Sequence, residues 1–395
     1  MILSVKQGIM SSPFRRGIRF MSSLTPASSS LYKSSAAEAR MDVGGPGGRS
    51  SNNGVKVAVF GGSGFLGKYV AGELGANGFM AYFANRGDDM EMRHLKLAFD
   101  LGKTRFVFYE ARDEDSMREV ISDADVVVNL VGKYYESAFP YQTKSFPYIG
   151  YKTNYTFEEV NVDIPKKLAQ ICLEMQVDHF VHVSSASASP DARSEWSRTK
   201  FAGEEAVKEI YPWATIIRPT QMFGRNDRLL TNMARFSRWW WAIYLIDGGK
   251  SLTQPVWVGD VARAIVAVCD NPEKFEGKNL DLFGPKEYNY RELAEFVDDC
   301  TRRNFPLREI PYDMARFFAQ YMQYRRQPFV TPDLVDIWSE DFLPPLGSPE
   351  AYANQKEIMT LKDVGIEATP MESIMYQYLQ RFIKFGHFHY VDGYH

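Results

Sequence analysis

A glycine-rich turn between an apolar strand and a helix constrains the fold of this chain most strongly. The apolar run at residues 55–60 leads directly into a G-x-x-G-x-x-G motif that opens a helical stretch. In a dinucleotide-binding turn, Gly61 permits the tight bend, Gly64 lets the backbone approach the pyrophosphate, and Gly67 allows close helix–strand packing. The phosphates then lie on exposed N–H groups at the positive end of the helix. The motif predicts a dinucleotide site that includes Gly61, Gly62, Ser63, Gly64, Phe65, Leu66 and Gly67.

Strand and helix patterns alternate along the residues that follow. Short apolar runs, as expected for strands buried on both faces of a sheet, lie at residues 55–60, 80–85, 104–109, 125–131, 179–184 and 215–218. Helical stretches are predicted between them at residues 66–77, 113–121, 157–175 and 195–210. This alternation predicts an α/β fold with a Rossmann-type, doubly wound parallel sheet. We expect that domain at residues 55–225, and a smaller mixed region at residues 226–395 that completes the fold and docks on partners.

The end of the second predicted strand indicates which dinucleotide is bound. An acidic residue there would accept a hydrogen bond from the ribose 2′-hydroxyl of NAD, whereas an arginine suits the 2′-phosphate of NADP. This chain has Arg86 at that position. NADPH is therefore the expected cofactor, with Gly62 and Ser63 near the same phosphate. The alternative is that Arg86 is an ordinary solvated residue.

The N-terminal segment has the composition of a mitochondrial presequence. Residues 1–37 are rich in serine, contain no Asp or Glu, and carry Lys6, Arg15, Arg16, Arg19 and Lys33. The alternative is a disordered tail of chance composition. Residues 38–54 are rich in Gly, Ser and Asn and are expected to be a linker. Three widely spaced cysteines without a CxxC motif fit a reducing compartment.

Charge and hydropathy exclude two classes of protein. A net charge of −3 argues against a nucleic-acid partner, and no apolar run reaches the roughly 18 residues of a transmembrane helix. The nearest, residues 239–246, is expected to be a buried strand or an interfacial patch, with core or protein contact favoured. Residues 312–326 predict an amphipathic helix that faces the core, a partner or a membrane surface.

Further features fall outside the regular alternation. Residues 133–156 form a tyrosine-rich insertion at the edge of the sheet that carries ligand sites in such folds; the alternative is a surface insertion that packs on a neighbouring subunit. Helices are predicted at residues 260–269, 290–301 and 372–385. His387 and His389 lack an acidic or thiol partner nearby and are expected to be surface residues, so no metal site is predicted.

Several segments together resemble the extended and atypical short-chain dehydrogenase/reductase superfamily over about residues 55–300. Beside the glycine motif, the matching segments are Glu110-Ala111 after the third strand, Leu130-Val131-Gly132 after the fourth, Ser184-Ser185 after the fifth, and Arg218-Pro219. The resemblance implies that Glu110, Ala111, Leu130, Val131, Gly132, Ser184, Lys200 and Pro219 also contact the cofactor. It places the catalytic serine of that superfamily at Ser185.

The same resemblance implies a degenerate catalytic site. The superfamily's Tyr-x-x-x-Lys pair corresponds here to Trp196 and Lys200. A phenol can protonate a substrate oxygen, whereas an indole N–H cannot at any useful pH. Lys200 could still hold the nicotinamide ribose and Ser185 could still polarise a carbonyl, but no catalytic residue is expected. A relocated acid from the insertion, with Tyr134, Tyr135 or Tyr151 as candidates, is the alternative.

One branch of the superfamily is matched more closely. The segments at residues 179–184, 223–228, 254–261 and 365–370 resemble the alpha-subcomplex subunit 9 family, an accessory subunit of mitochondrial complex I. The resemblance implies a non-catalytic subunit that holds NADPH on the matrix side of the inner membrane. Its partners would be other complex I subunits, together with the membrane surface or lipid head groups. A free mitochondrial reductase or epimerase acting on a small carbonyl substrate is the alternative.

Overall fold

Eight parallel strands form the central sheet in a computed structural model of the chain, which describes residues 51–136, 155–323, 328, 330–345 and 358–383. All of these residues belong to one compact unit. The predicted presequence, most of the predicted linker, the middle of the 133–156 insertion, Tyr151 and the two C-terminal histidines lie outside the described residues. The expectations for them stay predictions.

The sheet has the order β14-β11-β6-β5-β4-β1-β2-β3. Its strands are β1 Lys56–Phe60, β2 Met80–Asn85, β3 Thr104–Phe108, β4 Val126–Asn129, β5 His179–Val183, β6 Thr215–Pro219, β11 Asn279–Leu282 and β14 Ile358–Met359. The six predicted strands are confirmed to within two residues at each end. Shorter strands pair outside this sheet: β7 Met222–Phe223, β8 Ile243–Ile246, β9 Leu252–Thr253, β10 Val256–Trp257, β12 Tyr288–Asn289 and β13 Leu307–Ile310.

Helices cover both faces of the sheet. The α-helices are α1 Phe65–Ala76, α2 Asp89–Met92, α3 Glu114–Ile121, α4 Ile164–Glu174, α5 Glu195–Ile210, α6 Leu230–Trp240, α7 Val258–Asp270, α8 Pro272–Phe275, α9 Tyr290–Thr301, α10 Tyr312–Met322, α11 Pro332–Ser339, α12 Leu361–Val364 and α13 Met371–Leu379. Short 3-10 turns span Arg93–Ala98, Asp247–Gly249 and Gln380–Phe382. One apolar cluster fills the face under α1 and α7, and a second fills the face under α3, α4 and α5.

The predicted helix at residues 157–175 is not continuous, because a π-helical turn at Glu159–Asp163 precedes α4. This turn lies against α5 at a glycine. A Cβ atom on Gly203 would stand 1.9 Å from the Asn161 carbonyl oxygen, and the Asn161 side chain donates to Thr199 at 3.0 Å. The widened turn and the missing side chain let the two helices approach closely, a detail that apolar periodicity does not encode.

The region after residue 225 is fastened to the dinucleotide-type sheet in two ways. It supplies β11 and β14 to the sheet itself. It also makes polar contacts with earlier residues: the Asp333 carboxylate accepts a hydrogen bond from the Ser194 hydroxyl at 3.0 Å, and the Thr253 hydroxyl donates to the Gln221 side-chain oxygen at 3.2 Å. The C-terminal region therefore contributes strands to the sheet of the first domain and does not form a separate domain beside it.

Of the alternatives for the apolar run at residues 239–246, burial in the core does not hold for its tryptophans, whereas contact with a protein partner or an interface stays a prediction. Trp239, Trp240 and Trp241 are 63%, 53% and 79% exposed, since the run is split by the end of α6 and a left-handed turn at Trp241. Only the second half, β8, is a strand with a buried face.

The core interpretation is also wrong for the aromatic helix α10. Its apolar side chains Met314, Phe317, Phe318 and Tyr321 are about half exposed or more, and Ala319 is the buried residue of the helix. The predicted amphipathic pattern is present, but its apolar face points away from the described core. Within the described part of the chain, no helix is long and apolar enough to cross a membrane.

Candidate functional site

A cavity of about 570 Å³ opens where the strand order reverses, between β1 and β4. The chain leaves β1 toward β2 and β3, and later leaves β4 toward β5 and β6, so two loops diverge at this edge. Crevices at such a switch point are the usual ligand sites of open α/β sheets. The glycine turn after β1 and the Leu130–Gly132 segment after β4 both line the cavity.

Side chains at Gly61 and Gly67 would clash with neighbouring backbone atoms in the glycine turn. Gly61 has a positive φ of 86°, and a Cβ there would stand 2.9 Å from the Leu130 backbone. A Cβ on Gly67 would stand 2.5 Å from the Gly62 carbonyl oxygen, so Gly67 lets α1 begin directly against its own turn. These contacts leave the N-terminus of α1 open toward the cavity, which is the arrangement that a pyrophosphate group requires.

Three polar side chains point into this part of the cavity without full hydrogen bonding. Among the described residues, the buried Ser184 hydroxyl and Trp196 indole N–H have no partner, and both residues line the cavity. The Lys200 ammonium is 4% exposed and makes only a 3.4 Å hydrogen bond to the Val183 carbonyl oxygen. Because buried polar groups are normally satisfied, these groups fit a bound polar ligand such as the sugar and amide of a dinucleotide.

Burial lowers the pKa of Lys200 to about 8, and the nearby Glu204 carboxylate opposes that shift. Glu204 itself is engaged by Arg218, whose Nε lies 3.0–3.1 Å from its two oxygens. His182, on β5, is buried, and its Nδ1 lies 3.1 Å from the Asn129 side-chain nitrogen, within hydrogen-bond distance. Burial and the Lys200 charge lower the His182 pKa to about 3, so His182 is neutral at neutral pH and does not add a charge beside Lys200.

Trp196 lines the cavity as one half of a stacked aromatic pair. Its indole is 6% exposed and stacks on the Tyr134 ring with centroids 5.4 Å apart and planes 21° apart. The Arg228 guanidinium lies over the Tyr134 ring, 4.2 Å from the ring centroid. An apolar cluster of Phe157, Ala186, Ile337 and Phe342 surrounds the indole. Ser185 bonds to Ser187 at 3.1 Å, and Ser187 bonds to Ser197 at 3.1 Å.

The helix that carries Trp196 is capped from a distant part of the chain. Asp333, in the first turn of α11, accepts hydrogen bonds from the Ser194 hydroxyl at 3.0 Å, the Glu195 N–H at 2.7 Å and the Trp196 N–H at 3.4 Å. Burial raises the pKa of Asp333, and these hydrogen bonds oppose the rise. The contact holds α11 against the start of α5, so Trp338 and its neighbours on α11 become a wall of the cavity.

A second group of cations lies around the Tyr155 ring; of these, Lys133 lines the cavity, whereas Arg86, at the end of β2, and Arg112, after β3, do not. The guanidinium groups of Arg86 and Arg112 lie 5.8 Å and 4.7 Å from the centroid of the Tyr155 ring. Arg112 also bonds to Glu159 at 3.1 Å, and Lys133 donates to the Tyr155 carbonyl oxygen at 2.7 Å. Arg86 has no ion-pair partner among the residues that the structure describes.

The predicted site residues divide into two groups. The cavity is lined by Gly61, Gly64, Phe65, Leu66, Gly67, Leu130, Gly132, Ser184, Ser185, Trp196, Lys200 and Pro219. The remaining predicted residues do not line it: Gly62, Ser63, Arg86, Glu110, Ala111 and Val131. Most of these lie along the loops after β1, β2 and β3, on the side where an adenosine would extend, and their role stays a prediction.

Sequence reasoning missed the far walls of the cavity. These are Arg228, just before α6, Asn232 and Arg235 within α6, and one face of α11, with Leu334 and Ile337. Tyr134 and Tyr135 also line the cavity, as the position of the insertion after β4 indicated. The basic, acid-free composition of residues 228–246 was the one available signal for α6; nothing in the local sequence pointed to α11.

The comparisons with known proteins agree with this geometry. Residues 57–282 match the family model described as the NAD dependent epimerase/dehydratase family. A dTDP-glucose 4,6-dehydratase from Streptomyces venezuelae, solved with NAD and TYD bound, has a similar fold at 15% identity, with a TM-score of 0.57 over 83% of this chain and 96% of that chain. At that identity the likeness concerns the fold alone.

Curated relatives are similar over most of the chain. A Mus musculus protein named NADH dehydrogenase (ubiquinone) 1 alpha subcomplex subunit 9, mitochondrial, is 35% identical over 344 residues, which cover 85% of this chain and 83% of the relative. The Arabidopsis thaliana protein of the same name is 36% identical over 291 residues, which cover 73% and 69% of the two chains.

Proposed function

This chain belongs to the family of the mitochondrial NADH dehydrogenase (ubiquinone) 1 alpha subcomplex subunit 9, and we propose that it is a non-catalytic, NADPH-binding accessory subunit of respiratory complex I. It belongs equally to the NAD dependent epimerase/dehydratase family over residues 57–282. The names of its relatives support complex I subunits as its partners and the mitochondrion as its location. We propose further that it supports the assembly or stability of the matrix arm, peripherally at the inner membrane.

Nucleotide binding is supported by the switch-point cavity and its unsatisfied polar groups. The N–H groups at the start of α1 would hold the pyrophosphate, Lys200 would hold the nicotinamide ribose, and the Ser184 hydroxyl has a free donor for the same ligand. The unpaired Arg86 at the end of β2 supports NADPH over NADH, because a guanidinium suits a 2′-phosphate and a ribose hydroxyl prefers an acid.

The observation that carries the non-catalytic part of the proposal is the Trp196–Tyr134 stack. When bound, NADPH can donate a hydride, but a carbonyl substrate would need a proton donor and space at this position. Trp196 offers an N–H that does not ionise at useful pH, and its ring occupies the space itself with 6% exposure. Loss of the general acid alone removes about 10²–10⁴ in rate.

The exposed aromatic face of α10 supports docking on other subunits. Met314, Phe317, Phe318 and Tyr321 repeat at helical spacing and cover no described core. Exposed apolar patches of this kind usually mark interaction surfaces. We assign this face to a complex I partner, because the curated relatives are named as subunits of that complex.

The proposal is tested by native-gel migration of the tagged chain in mitochondria, combined with extraction of its nucleotide. We expect co-migration with complex I and bound NADPH that is not consumed when small aldehydes and ketones are added. Arg86→Gln should lower NADPH content and leave NADH binding unchanged, with the exposed Arg105→Gln as the matched control. Migration as a small free species that oxidises NADPH would support the reductase alternative instead.

A further inference from the structure

The ring of Tyr155 contacts two guanidinium groups at the edge of the sheet. The Arg112 group lies 4.7 Å and the Arg86 group 5.8 Å from the ring centroid. Both distances are within the roughly 6 Å at which a cation is attracted to the face of an aromatic ring. Tyr155 is not among the predicted cofactor residues, and it does not line the cavity.

Tyr155 is held in place by the start of the helical stretch that it precedes. This stretch begins at Phe157, and Thr156 and Glu159 form a capping box there. The Glu159 N–H donates to the Thr156 hydroxyl and the Thr156 N–H donates to the Glu159 carboxylate, both at 3.1 Å. The Lys133 ammonium donates to the Tyr155 carbonyl oxygen at 2.7 Å. Because Tyr155 is also only 7% exposed, its ring presents a fixed surface to the two arginines.

The two guanidinium groups on this ring differ in how their charge is balanced. Arg112 forms an ion pair with Glu159 at 3.1 Å, so the carboxylate of the capping box already neutralises it. Arg86 is exposed and has no ion-pair partner within the part of the chain that the structure describes. Of the two, Arg86 is therefore the one that can give its full charge to a ligand.

The backbone at Arg86 is fixed by its neighbour Asn85. The Asn85 side chain accepts a hydrogen bond from the Gly87 N–H at 3.1 Å and donates one to the Gly87 carbonyl oxygen at 2.9 Å, so the turn that carries Arg86 is closed. An arginine side chain loses rotamer freedom when it binds an anion, and a contact that restrains it beforehand lowers this cost. The Tyr155 ring provides such a contact.

We propose that Tyr155 is a positioning residue for cofactor specificity, whose ring holds the Arg86 guanidinium in place for the 2′-phosphate of NADPH. The inference rests on the proposed function, because it takes Arg86 as the ligand of that phosphate. A neutral aromatic face attracts a guanidinium without neutralising it, whereas a carboxylate would compete with the phosphate for its charge. The ring should therefore matter for NADPH and not for NADH, which has a hydroxyl at the 2′ position.

The test is calorimetric titration of the purified full-length protein, freed of nucleotide, with NADPH and with NADH. Tyr155→Leu should weaken NADPH binding about two- to five-fold and leave NADH binding unchanged, because an exposed cation–π contact contributes about that factor. Tyr155→Phe, the matched control, keeps the ring and should retain the wild-type affinity for both nucleotides. Arg86→Gln should weaken NADPH binding about ten-fold or more, and adding Tyr155→Leu to it should cause no further loss.

Failure of this inference can be distinguished from failure of the proposed function. If the wild-type protein did not prefer NADPH, or if Arg86→Gln left the preference intact, the proposed function would fail first. A preference that depends on Arg86 but survives Tyr155→Leu would overturn only the role of Tyr155. Equal losses for NADPH and NADH, or additive losses in the double variant, would show that the ring supports the fold and does not act through Arg86. Tyr155→Met, which also removes the aromatic face, carries the same expectations if Tyr155→Leu does not fold.

Discussion

Replacing Asp333 tests whether α11 is held on the helix of Trp196 by hydrogen-bond geometry or by charge. Asp333→Ala removes one acceptor oxygen from three donors, of which the Ser194 hydroxyl and Glu195 N–H are within 3.0 Å. A lost cap costs about 1 kcal/mol, and each buried donor left unsatisfied costs about 1–3 kcal/mol. Because the third bond, to Trp196, is long at 3.4 Å, we expect a total of about 2–3 kcal/mol in the free energy of unfolding.

Asp333→Asn should cost less than about 1 kcal/mol, because it keeps the acceptor and removes only the charge. Burial raises the pKa of Asp333 in the folded protein in spite of its hydrogen bonds, so the ionised carboxylate carries a net penalty. A raised carboxyl pKa means that stability is present at low pH and is lost as pH rises through the folded pKa. Wild-type stability relative to the Asn variant should therefore fall as pH rises above about 4.

Urea unfolding followed by tryptophan fluorescence measures both variants. Asp313→Ala is the control, since Asp313 lies in the first turn of α10 and is exposed, and a surface change of this kind stays within about 0.5 kcal/mol. If Asp333→Asn destabilised the protein as much as Asp333→Ala, the charge and not the acceptor would hold α11, and the reasoning from hydrogen-bond geometry would be refuted.

Three further predictions follow from the site and its supports. Trp196→Tyr should leave NADPH oxidation at background, because the restored phenol is worth about 10²–10⁴ only where a substrate fits and Tyr134 still occupies that space at 5.4 Å; a hundred-fold rise with any small carbonyl would contradict this. Nucleotide binding should take up protons above pH 8, since burial lowers the pKa of Lys200 to about 8 in the free protein and an anionic ligand restores the charged form. Calorimetry in buffers of different ionisation enthalpy measures this uptake, which Lys200→Met should abolish. Gly203→Ala should cost about 2 kcal/mol or more through the 1.9 Å clash with the Asn161 carbonyl oxygen, whereas Gly72→Ala, with open space around it, should stabilise α1 by up to about 1 kcal/mol in thermal unfolding; equal effects would contradict the packing argument.

The sheet could be predicted from sequence because each strand carries its own signal. Parallel strands buried on both faces are short continuous apolar runs, so β1 to β6 needed no knowledge of their neighbours. The glycine motif fixed which end of the sheet carries the ligand site. The exposure of the tryptophans could not be predicted in the same way, because an apolar run has the same sequence pattern in a core and on an interaction surface. The left-handed turn at Trp241, which divides this run, has no recognisable sequence pattern either.

The walls of the cavity escaped prediction for a different reason. Asp333 lies 139 residues from Ser194 in sequence, and no local pattern indicates that one caps the other. In the sequence, Arg235 cannot be distinguished from an ordinary surface residue. Only the fold shows that it lines the same cavity as the glycine turn. Sequence reasoning therefore recovered the half of the site built from loops of the sheet, and missed the half brought to it by tertiary packing.

Because the cavity walls come from both halves of the chain, ligand binding in the cavity stabilises the contact between the first domain and the C-terminal region. The glycine turn and Lys200 come from residues before 225, whereas Arg235 and the Asp333-capped helix α11 come from residues after it. A ligand bound between them favours only the state in which both halves are assembled, and at 100 times its Kd it would add about 2.7 kcal/mol to that state. The helix α10 packs against α11, so the same ligand would also hold in place the helix that carries the proposed docking surface. A dinucleotide that is never consumed suits this task better than a substrate that turns over, because its stabilisation does not depend on flux.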